Sequence, residues 1–484
     1  MLLFEPRPLS AVPSWLRNKR GSYANPIIVE GLGKPASIIF RTYLSVENCR
    51  QAPLLLVAAE LPGPALQPPS PLPGSYLYLL NFSILHPGNA DGDHPFHAHN
   101  CTGLLLRNLV IKGVRTARAP ILPAREAAKA RAAGAGFNQY GHVIDSALHD
   151  VGFGWYVKGG SAHLIIAGNR IYRTETAGLM LGFDTGIEWM TPPWIRYEAY
   201  DIKVYNNIIH DVDGPGLAVY GGYNILVAHN TFYRVGQQAE SLLVVRPGLR
   251  TCDGEWVDDT GINYCQQHRS LGGWGPPNDD RYWVLSLPNN GILIANNIFL
   301  NPTGTQAQHL YVRGPEPFCN IDQGEAGCQR CTDLPSTVAS DTNLFIRGNV
   351  IWNFARQASG ATPLGFEWGS GCQARSTCNA TLVRATNAIN DPAVKPQLFD
   401  PAAGDFSRQA STYHAHPFLM PTRLRKASVA KFKQLWAIPN WWRYSPGPAS
   451  LKLPASNLTN TVRYDKLGRA RIPTNNAPGA AIAE

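Results

Sequence analysis

The stretch Asn207-Ile208-Ile209-His210-Asp211-Val212 is one of four copies of a short phrase that recurs between residues 141 and 236. Each copy has an apolar strand, a small polar bend, Asn or a stand-in, two apolar residues and a polar exit. The copies begin at Ser146, Asn169, Asn207 and Asn230, so the intervals are 23, 38 and 23 residues. The longer interval is one period plus an insertion of 15 residues, which falls within 184–200. A fixed period of this length is typical of a solenoid, whose repeats stack along one axis.

The composition suits a turn-rich β-protein. Of the 484 residues, 16% are charged and 44% are hydrophobic, and the chain holds 45 Gly and 39 Pro, which argues against disorder and against long helices. The net charge is +9 and the pI about 9.1, so an anionic partner is expected. Because no dense Lys/Arg block occurs, an acidic polysaccharide is favoured over nucleic acid. The sequence contains no run of 18 or more apolar residues, so no membrane span is expected.

The repeat predicts parallel β-strands rather than helices. Each copy is too short for two helices and a turn, and its β-branched and aromatic residues form runs of three to five between Gly, Asn and Asp. Parallel strands stacked about 4.8 Å apart would place equivalent residues in columns. Asn at the bend tolerates left-handed backbone and can form hydrogen bonds along the stack. An antiparallel β-sandwich is the alternative, and it leaves the 23-residue period unexplained.

Four bends carry a resemblance to a known family: Gly168-Asn169-Arg170-Ile171, Asn206-Asn207-Ile208-Ile209, His229-Asn230-Thr231-Phe232 and Asn296-Asn297-Ile298-Phe299. They resemble the repeat motif of right-handed parallel β-helix proteins of the pectate-lyase-like superfamily. The C-terminal Gly404-Asp405-Phe406 and Asp465-Lys466-Leu467-Gly468-Arg469 also resemble the tail that these proteins often carry. The resemblance covers most of residues 21–410 and implies an all-β, single-stranded right-handed parallel β-helix. The superfamily contains polysaccharide lyases, hydrolases, epimerases and proteins without catalysis, so the activity stays open.

The repeat also divides the chain. We expect an N-terminal cap and the first rungs in residues 1–75, repeats in 76–355, and C-terminal rungs with an irregular tail in 356–484. Insertions are expected at 115–135, 184–200, 247–289 and 314–341, where the repeat is interrupted. In solenoids such insertions leave from turns and commonly collect on the binding face.

Two features favour an extracellular location. Seven of the nine cysteines lie from Cys252 to Cys378, where disulfides would cross-link the insertions. Because nine is an odd number, at least one cysteine is expected to stay unpaired. Four Asn-x-Ser/Thr sequons stand at Asn81, Asn100, Asn379 and Asn457 as candidate glycosylation sites. The first residues, by contrast, show no apolar stretch typical of a signal peptide.

Alignment of the copies places one residue of each rung in a column that is expected to face solvent: His97, Lys158, Gly182, Tyr220, Arg246 and Arg313. Each follows a residue expected to face the interior. Lys and Arg bind carboxylates or sulfates, Tyr stacks on a sugar face, and the Gly is expected to leave room for a ring. The column therefore predicts a groove for an acidic polysaccharide, with His97 and Arg313 as binding residues. The alternative is a solvated face that only keeps the coil soluble.

The resemblance also implies roles for the column. In lyases of this superfamily a Lys or Arg on such a strand takes the C5 proton of a uronic acid, and a cation or metal stabilises the enolate. This implies Lys158 as the base and Tyr220 and Arg246 as its helpers, with the pKa of the base lowered toward neutrality. Some alginate- and chondroitin-type members have an Arg one rung after the Lys, and this chain has Gly182 there.

The insertion after the Gly182 rung holds aromatic and acidic residues. Trp189 and Trp194 are candidate platforms for sugar rings, and the carboxylates are candidates for binding Ca²⁺ or for a hydrolase acid–base pair: Asp184, Glu188 and Glu198. An ordinary loop packed on the coil is the alternative. His149-Asp150 and His210-Asp211 occupy identical repeat positions, so both are interpreted as turn residues rather than as a catalytic dyad.

The leading hypothesis is a carbohydrate-active β-helix protein that acts on an acidic polysaccharide by lyase-type β-elimination. The alternatives are a non-catalytic glycan-binding wall or matrix protein and a glycoside hydrolase. We expect a monomer outside the cell, with no nucleic-acid partner, no membrane span and Ca²⁺ as the one candidate cofactor.

Overall fold

Parallel strands stacked on three faces form the body of the protein. The computed structural model describes residues 2–4, 27–31, 39–40, 44–47, 77–85, 95–102, 104–113, 134–139, 141–186, 197–239, 241–252, 283–305, 308–317, 319–320, 337–353, 371–392 and 398–408. These residues contain a 26-stranded sheet whose strands pair in parallel, and one helix, α1 (Ala380–Thr386). The expected all-β parallel β-helix is confirmed.

The strands are short, as expected for rungs bounded by tight bends. In chain order they are β1 (Leu2–Phe4), β2 (Ile27–Gly31), β3 (Ile39–Phe40), β4 (Leu44–Glu47), β5 (Leu77–Leu80), β6 (Ser83–Leu85), β7 (Phe96–Thr102), β8 (Leu104–Arg107), β9 (Val110–Lys112), β10 (Gly134–Gln139), β11 (His142–Ile144), β12 (Ala147–Lys158), β13 (Ser161–Ala167), β14 (Arg170–Leu181), β15 (Asp184–Gly186), β16 (Ala199–Tyr205), β17 (Ile208–Val212), β18 (Leu217–Tyr220), β19 (Gly222–Ala228), β20 (Thr231–Tyr233), β21 (Ser241–Arg246), β22 (Gly248–Cys252), β23 (Trp283–Leu287), β24 (Asn290–Ala295), β25 (Ile298–Asn301), β26 (Gln308–Val312), β27 (Glu316–Pro317), β28 (Cys319–Asn320), β29 (Thr337–Val338), β30 (Leu344–Arg347), β31 (Val350–Asn353), β32 (Ala388–Ile389), β33 (Leu398–Asp400) and β34 (Asp405–Arg408).

Pairing partners divide the main sheet into three faces. The first face contains β4, β7, β10, the C-terminal parts of β12 and β14, β18, β21 and β26. The second contains β1, β2, β5, β8, β11, β13, β16, β19, β24 and β30. The third contains β3, β6, β9, the N-terminal parts of β12 and β14, β17, β20, β25, β31 and β32.

Apolar side chains fill the interior in columns, one residue per rung. On the first face the fully buried column is Val157, Leu181, Val219, Val245 and Val312. On the third face Phe232 and Phe299 stack with their ring centroids 4.4 Å apart. Because each described rung buries its inward side chains against those of its neighbours, the core grows along the axis rather than in width.

A ladder of six buried asparagines joins the second face to the third: Asn169, Asn207, Asn230, Asn297, Asn349 and Asn387. Each of the first five donates from Nδ2 to Oδ1 of the next at 2.8–3.0 Å. Left-handed backbone belongs to the preceding residue, as at Asn206 (φ 57°) and His229 (φ 56°). The sequence predicted the left-handed backbone and the hydrogen bond along the stack for the same Asn, but in the structure they belong to two neighbouring residues.

Replacing Asn207 with alanine is expected to lower the free energy of unfolding by at least about 2 kcal/mol, because each buried hydrogen-bonding group left unpaired costs about 1–3 kcal/mol. Asn207 Oδ1 accepts from both the backbone and the side-chain nitrogens of Asn169, at 2.9 Å each. Denaturant unfolding measures the loss. The exposed Gln238 supplies the control, and Gln238→Ala should change stability by less than about 0.5 kcal/mol. Equal effects of the two substitutions would contradict a stabilising ladder.

A second, four-stranded sheet is built from segments that leave the coil beside the first face. It contains β15, β22, β23 and β28, with β15 parallel to β22 and the other pairs antiparallel. β15 and β22 begin shortly after the first-face parts of β14 and β21 end. We call this sheet the side wall, because it stands next to the outward column of the first face.

Three further features complete the described part. Cys372 and Cys378 form a disulfide and Cys101 is also disulfide-bonded. The hairpin β33–β34 packs Phe406 on the outside of the third face, with its ring centroid 4.7 Å from that of His210. None of the described residues forms a helix long and apolar enough to cross a membrane.

Candidate functional site

The first face carries the outward column that the sequence predicts. Val157 pairs with Leu181, Leu181 with Val219, and Val219 with Val245. Since these residues are fully buried, the residues that follow them lie on the outside of the sheet: Lys158, Gly182, Tyr220 and Arg246. Val245 pairs with Val312, so Arg313 continues the series on the next rung. The structure therefore brings together four of the predicted side chains and Gly182.

His97 lies outside this register, so its predicted position is wrong. His97 pairs with Gly134, and Gly134 pairs with Tyr156, two residues before Lys158. The residue that pairs with Lys158 through Gly136 is His99. The misalignment arises because β10 adds a rung between β7 and β12, and the sequence pattern did not identify this Gly- and Ala-rich segment as a rung.

Gly182 does not leave an open space for a sugar ring. A Cβ built on Gly182 would lie 1.7 Å from the carbonyl oxygen of Tyr220, and the residue has φ +85°. This position therefore admits glycine because the neighbouring rung approaches closely and because left-handed backbone favours glycine. The same contact explains why the chain cannot carry an Arg one rung after Lys158.

Lys158 is half-buried and held at two points. Its Nζ donates a hydrogen bond to the carbonyl oxygen of Asp184 at 2.8 Å, and it lies 5.5 Å from the ring centroid of Tyr156. Asp184 is the first residue of β15, so the side wall supplies the acceptor. The amine is thus positioned at the boundary between the first face and the side wall.

Arg246 is the second cation of the column, and it lies beside Tyr220. The two residues pair in register, and the Arg246 guanidinium lies 5.2 Å from the Tyr220 ring centroid. Burial raises the pKa of the Tyr220 phenol above its ordinary value, although the Arg246 charge and its hydrogen bond to Tyr220 oppose that shift. Tyr220 therefore keeps its proton at neutral pH. Arg313 forms an ion pair with Glu316 and is more exposed.

An aromatic cluster connects the two cations. It consists of Phe153, Tyr156, Phe183 and Tyr220, with Met180 and Ala218 beneath them. Phe183 directly follows Gly182, and its side chain is 38% exposed. Phe183 lies one residue past the end of its rung, so an alignment of equivalent rung positions does not identify it.

The contacts of Glu198 do not fit a metal site. Its carboxylate accepts from Gly159 N at 3.3 Å, from Thr185 Oγ1 at 2.5 Å and from Arg250 Nη2 at 3.2 Å. Glu198 and Arg250 are both fully buried. The described residues hold no group of three or more His, Cys, Asp or Glu side chains that could bind a metal ion. The other predicted members of this insertion, Glu188, Trp189 and Trp194, lie outside the described residues.

Glu198 also links the side wall to the column. Gly159 follows Lys158, and Thr185 follows Asp184, whose carbonyl oxygen binds the Lys158 amine. One buried carboxylate therefore fixes the backbone on both sides of the Lys158 hydrogen bond. Arg250 on β22 provides the charge that balances this carboxylate inside the wall.

Two His–Asp pairs lie on the third face, away from the column. His149 Nδ1 lies 2.8 Å from Asp150 Oδ2, and His210 Nδ1 lies 2.7 Å from Asp211 Oδ2. Both aspartates have left-handed backbone, with φ 56°. Arg173 in turn binds Asp150, and this bond is the main cause that lowers the pKa of Asp150 to about 2. These contacts agree with their interpretation as residues of the turn.

The comparisons concern the fold. Residues 97–243 match the family model "Right handed beta helix region". A comparison with curated proteins finds no match. Among solved structures, the chain is similar to an alginate lyase from Paenibacillus sp. str. FPU-7, with 13% identity, TM-score 0.31, and 66% of this chain and 81% of that chain covered. It is also similar to the PL6 family polysaccharide lyase Pedsa3628 from Pseudopedobacter saltans, with 11% identity, TM-score 0.29, and 83% and 89% covered.

A third solved structure is the A-module of the mannuronan C-5 epimerase AlgE4 from Azotobacter vinelandii, with 10% identity and TM-score 0.22. This match covers 69% of the present chain and 89% of the epimerase module. The parallel register of three faces, the asparagine ladder and the family model over residues 97–243 give one conclusion. The chain folds as a right-handed parallel β-helix, and the matching family model covers residues 97–243 of it.

Proposed function

We propose that the outer side of the first face binds an acidic polysaccharide outside the cell and cleaves it by β-elimination. The observation that carries this proposal is the register of Lys158, Tyr220 and Arg246, which lie on one surface beside the side wall. Rungs repeat about every 4.8 Å, so Lys158 and Arg246 stand about 14 Å apart along the axis. A polymer laid along the axis would meet both cations and the aromatic cluster between them.

The three side chains divide the steps of an elimination. Lys158, in its neutral form, removes the proton from the carbon next to the uronate carboxylate. The electrons of that C–H bond form a carbon–carbon double bond, and the bond to the glycosidic oxygen breaks. Tyr220 remains protonated because burial raises its pKa, and it donates a proton to the departing oxygen. Arg246, three rungs away from Lys158, binds the carboxylate of another sugar and holds the polymer on the face.

Binding without cleavage is the second candidate function, and the Lys158 contact favours it. The Lys158 amine donates to the carbonyl oxygen of Asp184, and a side chain held in this way can bind a carboxylate without removing a proton. The hydrolase alternative has less support, because Glu198 is enclosed and ion-paired with Arg250.

One assay separates these functions. The full chain is incubated with polygalacturonate, alginate and a sulfated glycan, with Ca²⁺ added in one series and a chelator in another. We expect new reducing ends together with the ultraviolet absorbance of an unsaturated uronide. Reducing ends without this absorbance would indicate hydrolysis, and binding without either product would indicate a glycan-binding protein. Absence of both binding and products on every acidic glycan would refute the proposal.

A further inference from the structure

Phe183 is an exposed aromatic ring held in a fixed position on the candidate groove. It and Leu382 are the large apolar side chains that remain exposed among the described residues, at 38% and 45%. The Phe183 ring meets Tyr156 edge-on at 6.1 Å and Tyr220 edge-on at 5.7 Å between centroids. Leu382, in contrast, lies on helix α1. Two perpendicular aromatic contacts hold the orientation of Phe183 while its outer surface stays open to solvent.

A cation stands at each end of this aromatic surface. Lys158 lies over the ring of Tyr156, and Arg246 lies over the ring of Tyr220. The order along the surface is therefore cation, Tyr156, Phe183, Tyr220, cation. Charge at both ends and an apolar ring in the middle would complement a ligand with two separated anions and an apolar face between them.

We propose that Phe183 is the platform on which the central sugar of an acidic oligosaccharide stacks, while Lys158 and Arg246 bind carboxylates of the sugars on either side. This proposal rests on the proposed function and specifies its ligand: a run of at least three sugars with uronates at the first and third positions. A disaccharide cannot engage both cations and the platform together. Phe183 is thus a specificity-determining residue for oligosaccharide length.

The same ring would also be exposed if it only covered the apolar cluster beneath it. In that case its removal would lower stability and leave ligand binding unchanged. A tryptophan at the position distinguishes the two roles, because a larger aromatic surface retains stacking on the sugar. Leu382→Ala supplies a matched control, since it removes an exposed apolar side chain of helix α1.

The test is calorimetric titration of the full chain with trigalacturonate, trimannuronate and triguluronate, and with maltotriose as a neutral trisaccharide. If the chain cleaves these probes, Lys158→Arg is used as the background, because it keeps the charge and lacks the base. Phe183→Ala should weaken binding of the acidic trimer about 3- to 10-fold. Phe183→Trp and Leu382→Ala should bind within about 2-fold of the parent, and the corresponding diuronate should bind more weakly than the trimer.

The outcomes separate this proposal from the proposed function. If the parent binds an acidic trimer and Phe183→Ala binds it equally well, with thermal unfolding unchanged, the platform is wrong and the function stands. Equal affinity for the diuronate and the trimer would also overturn the platform. If the parent binds none of the acidic probes and no acidic polymer, the proposed function fails and the platform fails with it.

Discussion

Lys158→Met is expected to reduce the kcat/KM of eliminative cleavage by about 10²- to 10⁴-fold, the usual contribution of a positioned general base. The loss should fall mainly on kcat, because the variant still has Arg246 and the aromatic cluster for binding. Initial rates of ultraviolet absorbance on the polymer that the parent cleaves provide the measurement. Lys112, exposed on the third face, gives the matched control, and Lys112→Met should leave the rate within about 2-fold.

Lys158→Arg separates charge from basicity. An arginine stays protonated at any working pH, so the variant keeps the carboxylate ligand and cannot take a proton. We expect cleavage as low as in Lys158→Met but polymer binding close to that of the parent. Full cleavage by either variant would show that another group removes the proton.

The pH dependence has a sign that follows from the proposed roles. A general base acts only in its unprotonated form, so the rate should not fall as pH rises while the acid keeps its proton. Burial raises the pKa of Tyr220, so the acid stays protonated beyond the ordinary range of a tyrosine and the rate should not decline until strongly alkaline pH. A rate that falls as pH rises from 6 to 9 would contradict these assignments.

The repeat period predicted the fold because stacking is the physical cause of that period. Residues at the Asn bends recur where the second face meets the third, and the buried ladder needs an amide at each of these bends. The same logic predicted the register of Lys158, Tyr220 and Arg246, since each follows an inward apolar residue. A column of side chains can therefore be predicted from the sequence wherever the repeat copies are complete.

Long-range pairing accounts for the positions that the sequence did not predict. The strand β10 lacks the Asn phrase, and it pairs with β7 and β12 through backbone groups that any residue supplies. His97 was therefore aligned with Lys158, although it lies level with Tyr156, two residues earlier. Gly182 was interpreted as an open space because nothing in its own segment reveals the carbonyl oxygen of Tyr220 on the next rung.

The buried ion pair was the least predictable part of the site. Arg250 and Glu198 are 52 positions apart in the sequence, and arginine and glutamate are rarely enclosed in proteins. They meet because β22 pairs with β15 in the side wall, which forms from three separate insertions. The sequence pattern indicated an exposed carboxylate at Glu198, but the pairing between insertions buries it.

Arg250→Met is expected to lower the free energy of unfolding by about 3–5 kcal/mol, because it leaves the Glu198 carboxylate enclosed without its balancing cation. Both side chains are fully buried, so solvent cannot compensate for the missing charge. The backbone N–H of Gly159 and the hydroxyl of Thr185 remain as partners, but both are neutral. Denaturant unfolding of the full chain measures the change. The exposed pair of Arg107 and Asp145 is the control, and Arg107→Met should cost less than about 1 kcal/mol.

The double variant Arg250→Met with Glu198→Gln tests the cause of that loss. Glutamine can still accept from Gly159 N and Thr185 Oγ1 and carries no charge, so the double variant should be more stable than Arg250→Met alone. If the two variants are equally unstable, lost packing of the arginine side chain is the cause rather than uncompensated charge. In the charge case, Glu198→Gln should also restore part of any cleavage activity that Arg250→Met loses, since the same carboxylate holds the backbone beside Lys158 and Asp184. The stability of the side wall and the position of the proposed base would then depend on one buried charge pair.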